Sequence, residues 1–337
     1  MDLSVNYMGM QLKNPIIVGA SNLVTDLNIL KQLEASGASA IVYKSLFEEQ
    51  IHLESLEQHG VEEDYATRHA EMSSSMYPAM EHAGPEEFLI KLKRAKEAVN
   101  IPLIASLNAV YEETWVEYAQ KIQEVGVDGL EVNFYSVPKE FHIDGRSILT
   151  EQLDILKKVK DSITIPLAVK LSPFYTNILY TINEMDKVGV DGFVIFNRLF
   201  QPDIDIDEEE HFFPYNLSSQ NDNRLAVRFA GLLFDEVKAD VCTNSGIYTG
   251  EDVISMLLAG SDAVQVVSTL YKNGVDQIST MLKELESWMG TKGYKNIGDF
   301  RGKLSKKTLR DPFAYKRAQY VDILMKSEKI FKKYPLT

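Results

Sequence analysis

ASGASAIVYKS (35–45), EVGVDGLEVNF (124–134), KVGVDGFVIFN (187–197) and LAGSDAVQVVS (258–268) are four near-copies of one phrase. Each has a glycine near the end of an apolar-periodic segment, then a short polar turn, then an apolar run of strand length. Gly37, Gly126, Gly189 and Gly260 fit the left-handed position that follows a helix. The runs AIVYKS, GLEVNF, GFVIFN and AVQVVS are almost continuously apolar, as strands buried on both faces of a parallel sheet are.

A second phrase falls between these copies. NIPLIASLN (100–108) and TIPLAVKLS (164–172) share Ile-Pro-Leu ahead of a strand, where proline stops one helix and its missing N–H does little harm. With NPIIVGAS (14–21) and ADVCTNSG (239–246) the count is eight strands, near 16–21, 40–45, 103–108, 129–135, 166–172, 192–198, 240–246 and 263–268. Helical patterns lie between them, among them 86–99, 112–125, 149–160, 224–238 and 251–259. The alternation predicts an α/β fold, a single-domain (β/α)8 barrel. An open doubly wound sheet is the alternative, and the lack of an early GxGxxG argues against it.

Two connections are long, at about 46–84 and 199–223. Both follow strands and so belong to the C-terminal face, where barrels place their active sites. The acidic DIDIDEEE (203–210) reads as the tip of the second loop. The basic, aromatic tail from about 290 reads as a surface helix packed on the barrel.

The 337 residues are 45% hydrophobic, enough for a large core, and the net charge is −14. An acidic surface disfavours nucleic acid and anionic membrane as partners. No apolar run reaches the roughly 20 residues of a bilayer span. The opening MDLSVNYMGMQLKNP has no basic region followed by an apolar stretch, so no signal peptide is expected. With one cysteine, Cys242, and no HExxH-like spacing, neither a disulfide nor a metal is expected. The composition suits a soluble cytoplasmic enzyme.

Polar residues at strand ends are the candidates for chemistry: Ser21, Asn22, Lys44, Ser45, Asn108, Asn133, Lys170, Ser172, Asn197, Asn244 to Gly246, Ser268 and Thr269. Lys44 and Lys170 each interrupt an apolar run. A lysine buried without a partner is costly, so each meets an anion, serves as a Schiff-base nucleophile, or snorkels to the rim. TNSGIYTGED (243–252), with Thr249 as a helix cap, and VVSTLYKNG (266–274) have the form of a phosphate site after strands seven and eight.

NPIIVGAS, VYKS, EVNFYSVP, VKLSP, the asparagine of VIFNR, TNSGIYTGEDV and MGTKGYKNIGDFRGKL together, in this order from about residue 4 to 305, resemble the dihydroorotate dehydrogenases. The resemblance implies FMN as cofactor and a homodimer. It implies that Ala20, Ser21, Lys44, Ser45, Asn108, Asn133, Lys170 and Asn197 surround the flavin, and that Ser245, Gly246, Ser268 and Thr269 hold its phosphate. Lys44, Ser74, Met76, Asn133, Asn197 and Arg198 would meet the substrate. The family's base lies three residues after the asparagine: cysteine in the soluble class, serine in the membrane-associated class, and Ser136 here. It would take a proton from dihydroorotate while hydride passes to flavin N5, with Lys44 and Asn133 beside it.

This chain departs from the pattern at several positions. Ser74 stands for an asparagine, Tyr77 for a glycine, and Val137, Pro138 and Lys139 follow Ser136 where Pro-Asn is usual. Arg198 stands for a small hydroxyl residue and Val267 for a glycine. The flavin residues survive better than those for orotate. Three readings remain open: a dihydroorotate oxidase or a relative using another cyclic substrate, a flavin-free Schiff-base lyase, and a flavin protein without catalysis. No cysteine cluster or nicotinamide fingerprint identifies the electron acceptor.

Overall fold

The computed structural model describes residues 1–47, 85–108, 112–134, 141–198, 202–212, 217–326 and 332. Eight parallel strands close into a barrel: β1 (Ile16–Val18), β2 (Ala40–Phe47), β3 (Leu103–Asn108), β4 (Gly129–Phe134), β5 (Leu167–Leu171), β6 (Gly192–Ile195), β7 (Asp240–Asn244) and β8 (Ala263–Val266). Each pairs with its neighbours in chain order, and β8 returns to β1. The helices include α1 (Leu27–Ala35), α2 (Pro85–Ala98), α3 (Glu112–Glu124), α4 (Gly145–Ser162), α5 (Ile178–Val188), α6 (Asn223–Leu233), α7 (Gly250–Ala259) and α8 (Gln277–Lys292). This is the (β/α)8 architecture that the strand count predicts.

The repeated phrase has a structural purpose. Gly37, Gly126, Gly189 and Gly260 all take positive φ, between 90° and 134°. The aspartate that follows in three copies ties the even strand to the odd one before it. Asp128 accepts from Leu103 N–H at 2.7 Å, Asp191 from Leu167 N–H at 2.9 Å and Asp262 from Val241 N–H at 2.8 Å. Each supplies a partner to an N–H at the start of a strand, which burial would otherwise penalise. Lys96, Lys160 and Arg301 neutralise the three carboxylates from outside.

The glycines that open β4 and β6 have a different cause. A hairpin, Val5–Tyr7 with Met10–Leu12, lies against the N-terminal end of the barrel. A Cβ on Gly192 would lie 3.0 Å from Met8 Cγ and 3.1 Å from the Tyr7 hydroxyl, and one on Gly129 would lie 3.3 Å from Met8 Cε. Met8 N–H donates to Asp240 at 2.8 Å, fixing the plug to β7. With that end closed, the C-terminal mouth is left for a ligand.

Several expectations need correction. Helix α6 stops at Leu233, not 238, because Asp235 takes a left-handed φ of 60° and its carbonyl accepts from Lys307. Helix α4 starts at Gly145, since Asp144 caps it by accepting from Arg146 and Ser147 N–H. The strands β6, β7 and β8 end earlier than expected, so Asn197, Ser245 and Ser268 lie just past the sheet, while Asn244 closes β7. The acidic stretch forms an exposed two-stranded hairpin, Asp203–Asp205 with Glu210–Phe212. In the tail, Ile297, Phe300 and Ser305 are buried against the barrel, but the helix Ala318–Met325 buries no residue. Its apolar side chains Val321, Ile323, Leu324 and Met325 are at least half exposed among the described residues, which gives no sign of the expected packing on the barrel.

Candidate functional site

The mouth of the barrel holds a cavity of about 370 Å³. It is lined by Ala20, Ser21 and Asn22 after β1, by Lys44, Ser45 and Phe47 of β2, and by Lys170 of β5. Asn197 and Arg198 line it after β6, and Ser245, Gly246 and Ser268 after β7 and β8. Ten residues that the family resemblance assigned to flavin, phosphate or substrate are thus gathered in one place from six strands. Asn108, Asn133 and Thr269 are not in the lining. Ser74, Met76 and Ser136, with Val137, Pro138 and Lys139, lie outside the described residues.

The backbone of β2 explains how Lys44 and Ser45 can both serve the cavity. Neighbouring residues on a regular strand point to opposite faces. Here the pairing with β3 slips between Val42 and Ser45, so that three steps on β2 match two on β3. Such a bulge re-aims side chains and is common beside active sites. Ser45 is then joined to Ser106 on β3 through their hydroxyls at 2.7 Å. Asn133 Nδ2 donates to Ser106 at 2.8 Å and to Ser45 at 3.4 Å. Both amide hydrogens of Asn133 are therefore committed, and its Oδ1 is buried without a partner among the described residues. Ser21 Oγ is buried and unpartnered in the same sense. Two orphaned polar atoms at one barrel mouth are costly unless a ligand completes them.

Beneath the cavity, Lys170 sits in a closed polar triangle. Its ammonium lies 3.3 Å from Glu131 Oε1 on β4 and 3.4 Å from Gln265 Oε1 on β8. Gln265 Nε2 donates to the other Glu131 oxygen at 2.6 Å. All three are buried, Glu131 to 1% exposure. Lysine has three N–H donors, so one is left over at the cavity wall. Sequence reasoning found Lys170 and overlooked Glu131, Gln265 and Ser106. The signal was present, because a polar residue inside LEVN, VQVV and IASLN breaks an apolar run just as Lys170 does. Below the triangle, burial pushes the Tyr7 hydroxyl and the Cys242 thiol well up, and the nearby Glu131 carboxylate acts in the same direction.

The far wall is built from the end of the second long loop. Ser218, also overlooked, donates its hydroxyl to Ser268 Oγ at 2.8 Å and accepts from Gly246 N–H at 3.2 Å. Gly246 has φ 71°, and a Cβ there would come within 2.6 Å of Asn223 N and of Ser219 O. Thr269 turns away from the cavity, its hydroxyl donating to the Tyr248 carbonyl and accepting from Asn273. Thr249 caps α7 as expected, in a reciprocal box with Asp252. At the rim, Arg198 pairs with Asp222 at 2.6 Å. Burial alone would raise the Asp222 carboxyl, but the Ser219 N–H and the Arg198 guanidinium outweigh it and hold it below its usual range.

The charge of the lining is the opposite of the charge of the chain. Lys44, Lys170 and Arg198 face the cavity, and no carboxylate is among its described lining residues. Lys44 has no ion-pair partner among the described residues. A concave, largely apolar site with a few cations and orphaned polar atoms suits a planar anionic ligand. No group of side chains able to hold a metal occurs among the described residues, and no described helix is long and apolar enough to cross a membrane.

Comparison with known proteins agrees with this geometry. The family model described as dihydroorotate dehydrogenase matches residues 2–289. The catalytic subunit of dihydroorotate dehydrogenase B (NAD(+)) from Thermoplasma acidophilum is 27% identical over 308 residues, covering 89% of this chain and 98% of that protein. Its counterpart from Thermoplasma volcanium is 28% identical, with the same coverage. Dihydroorotate dehydrogenase A (fumarate) from Lactobacillus helveticus is 26% identical and covers 89% of this chain and 97% of its own. With a match over most of its length and a barrel whose mouth gathers the expected residues, the chain belongs to the dihydroorotate dehydrogenase family.

Proposed function

We propose that this protein is an FMN-dependent oxidoreductase that converts dihydroorotate to orotate, a step of pyrimidine biosynthesis. The observation that carries the reading is the cavity itself, which Lys44, Lys170 and Arg198 face, with Ser21 Oγ in its lining and the nearby Asn133 Oδ1 both without partners among the described residues. These residues fit the flavin. Lys170 has one N–H left for an electron-rich ring, and the Oδ1 of Asn133 is left to accept an N–H of flavin or substrate. Ser245, Gly246 and Ser268, in the loops after β7 and β8, would take the phosphate. Thr269 and Asn108 support this rim from behind in the proposal, without facing the cavity.

Bound FMN supplies the hydride acceptor. The protein's own part is to place the substrate and move a proton. Lys44 and Arg198 attract the carboxylate of dihydroorotate, and Asn197, Ser74 and Met76 are the remaining substrate contacts assigned by this reading. Ser136 removes the proton that leaves as the ring double bond forms. Serine is a weak base, so its proton must be relayed onward. Lys170 contributes a fixed positive charge where negative charge accumulates on reduction. A single-domain homodimer in the cytoplasm goes with this reading.

Anaerobic mixing of the purified protein with dihydroorotate tests the proposal. A yellow protein whose flavin absorbance bleaches supports it. A well-folded but colourless protein sinks the FMN assignment and favours a lysine-based lyase. A yellow protein that dihydroorotate does not bleach sinks the substrate, and returns attention to Arg198, one of the positions where the chain departs from the family pattern.

A further inference from the structure

We infer that Glu131 and Gln265 form a positioning pair that sets both the place and the effective charge of Lys170, and through it the reduction potential of the bound flavin. The inference rests on the FMN reading above. Glu131 does not line the cavity and is 1% exposed, so it touches no ligand. It nevertheless presents one oxygen to the Lys170 ammonium and the other to the Gln265 amide.

The triangle has only one arrangement that satisfies every atom. The Gln265 amide must direct Nε2 to the carboxylate and Oε1 to the ammonium. Reversing the amide would set its NH₂ against the lysine and its oxygen against the carboxylate. The Lys170 head is thereby held from two sides, and its remaining donor is directed by exclusion. Strand register contributes as well. Asn133 pairs with Lys170 across β4 and β5, and Glu131 lies two residues before Asn133, on the same face of β4. Asn133, whose Oδ1 is orphaned among the described residues, and Lys170, which lines the cavity, are therefore neighbours across the two strands.

Charge is the second consequence. A lysine alone at this depth would act on the cavity as a full cation. With a buried carboxylate 3.3 Å away, it acts largely as a dipole. Glu131 thus limits how strongly the site favours the more negative, reduced flavin, so that the cofactor can be reoxidised. A purely structural ion pair predicts no such effect on the potential.

The experiment uses the FMN-loaded full-length protein and reads the flavin midpoint potential by dye equilibration, without substrate. Glu131→Gln keeps the shape and one hydrogen bond but removes the negative charge. It should shift the ratio of affinities for reduced over oxidised FMN by about tenfold toward the reduced form, about +30 mV for a two-electron couple. Gln265→Glu adds a second carboxylate against Lys170 and should shift the ratio in the opposite direction. Opposite signs in the two variants support the inference. Potentials unchanged from wild type, or displaced in the same direction in both, overturn it. If Glu131→Gln does not fold, the direction of the shift in Gln265→Glu decides alone. Wild-type protein that takes up no FMN overturns this inference together with the cofactor assignment. An FMN-loaded wild type that ignores dihydroorotate overturns only the substrate.

Discussion

Replacing Lys170 with methionine separates what the lysine does for the fold from what it does for the ligand. Methionine matches the length of the stem but leaves the Glu131 carboxylate at 1% exposure without its cation. Removing one partner of a buried ion pair costs about 3–5 kcal/mol, most of it the penalty of the stranded charge. Unfolding entropy near the midpoint is about 2.1 cal/mol/K per residue. Over 337 residues that is about 0.7 kcal/mol/K, so the melting temperature of Lys170→Met should fall by about 4–7 °C. Adding Glu131→Gln removes the stranded charge and leaves two amides that can pair, so the double variant should regain more than half of the loss. FMN binding should stay weak in both, because neither has the donor at the cavity floor. The assay is thermal unfolding of the FMN-free proteins alongside flavin titration. A single variant that melts within a degree of wild type, or a double variant that recovers no stability, would refute the account of the triangle. Wild-type FMN affinity in either would show that Lys170 is only a structural residue.

Three further outcomes follow from other parts of the site. Ser136→Ala should keep its FMN content and lower the rate of flavin reduction by about 10²–10⁴ in stopped flow, the usual effect of a lost acid–base group; reduction at the wild-type rate would place the base elsewhere. Gly246→Ala puts a Cβ within 2.6 Å of two backbone atoms at φ 71°, and should both destabilise the protein by about 1–3 kcal/mol and release FMN; a variant with unchanged melting and flavin content would mean the turn is softer than its contacts indicate. The Asp222 carboxyl is held low in the folded protein, so its contribution to stability is complete above the unfolded value of about 3.9 and is lost as pH falls through the folded value. Acid melting curves of wild type and Asp222→Asn should therefore converge below that window, and curves that stay parallel there would exclude the ionised Asp222 carboxylate, held by Ser219 N–H and Arg198, as its cause.

The amino-acid sequence by itself determined the barrel. Its signals are local and repeated: glycine at a helix end and a buried run that follows, four times over, with aspartate at the strand start in three of the four. Such features act within a few residues, so they survive being read one segment at a time. Most of the cavity was legible for the same reason. Lys44, Lys170, Asn197 and Ser245 lie at strand ends, and in a parallel barrel all strand ends of one kind meet at one mouth. What the sequence left open depends on distance across the barrel. Glu131 and Gln265 are 134 positions apart, and only closure of the barrel brings both to Lys170. Ser218 reaches Gly246 and Ser268 only because the loop after β6 folds back over the last two strands. The slip in β2 depends on how that strand pairs with β3, and nothing in VYKS specifies it. Even the left-handed Asp235 that ends α6 is held by Lys307, 72 positions away. Secondary structure and strand order are written in neighbours along the chain, whereas hydrogen-bond partners and charge balance inside the barrel are properties of residues that meet only when it closes.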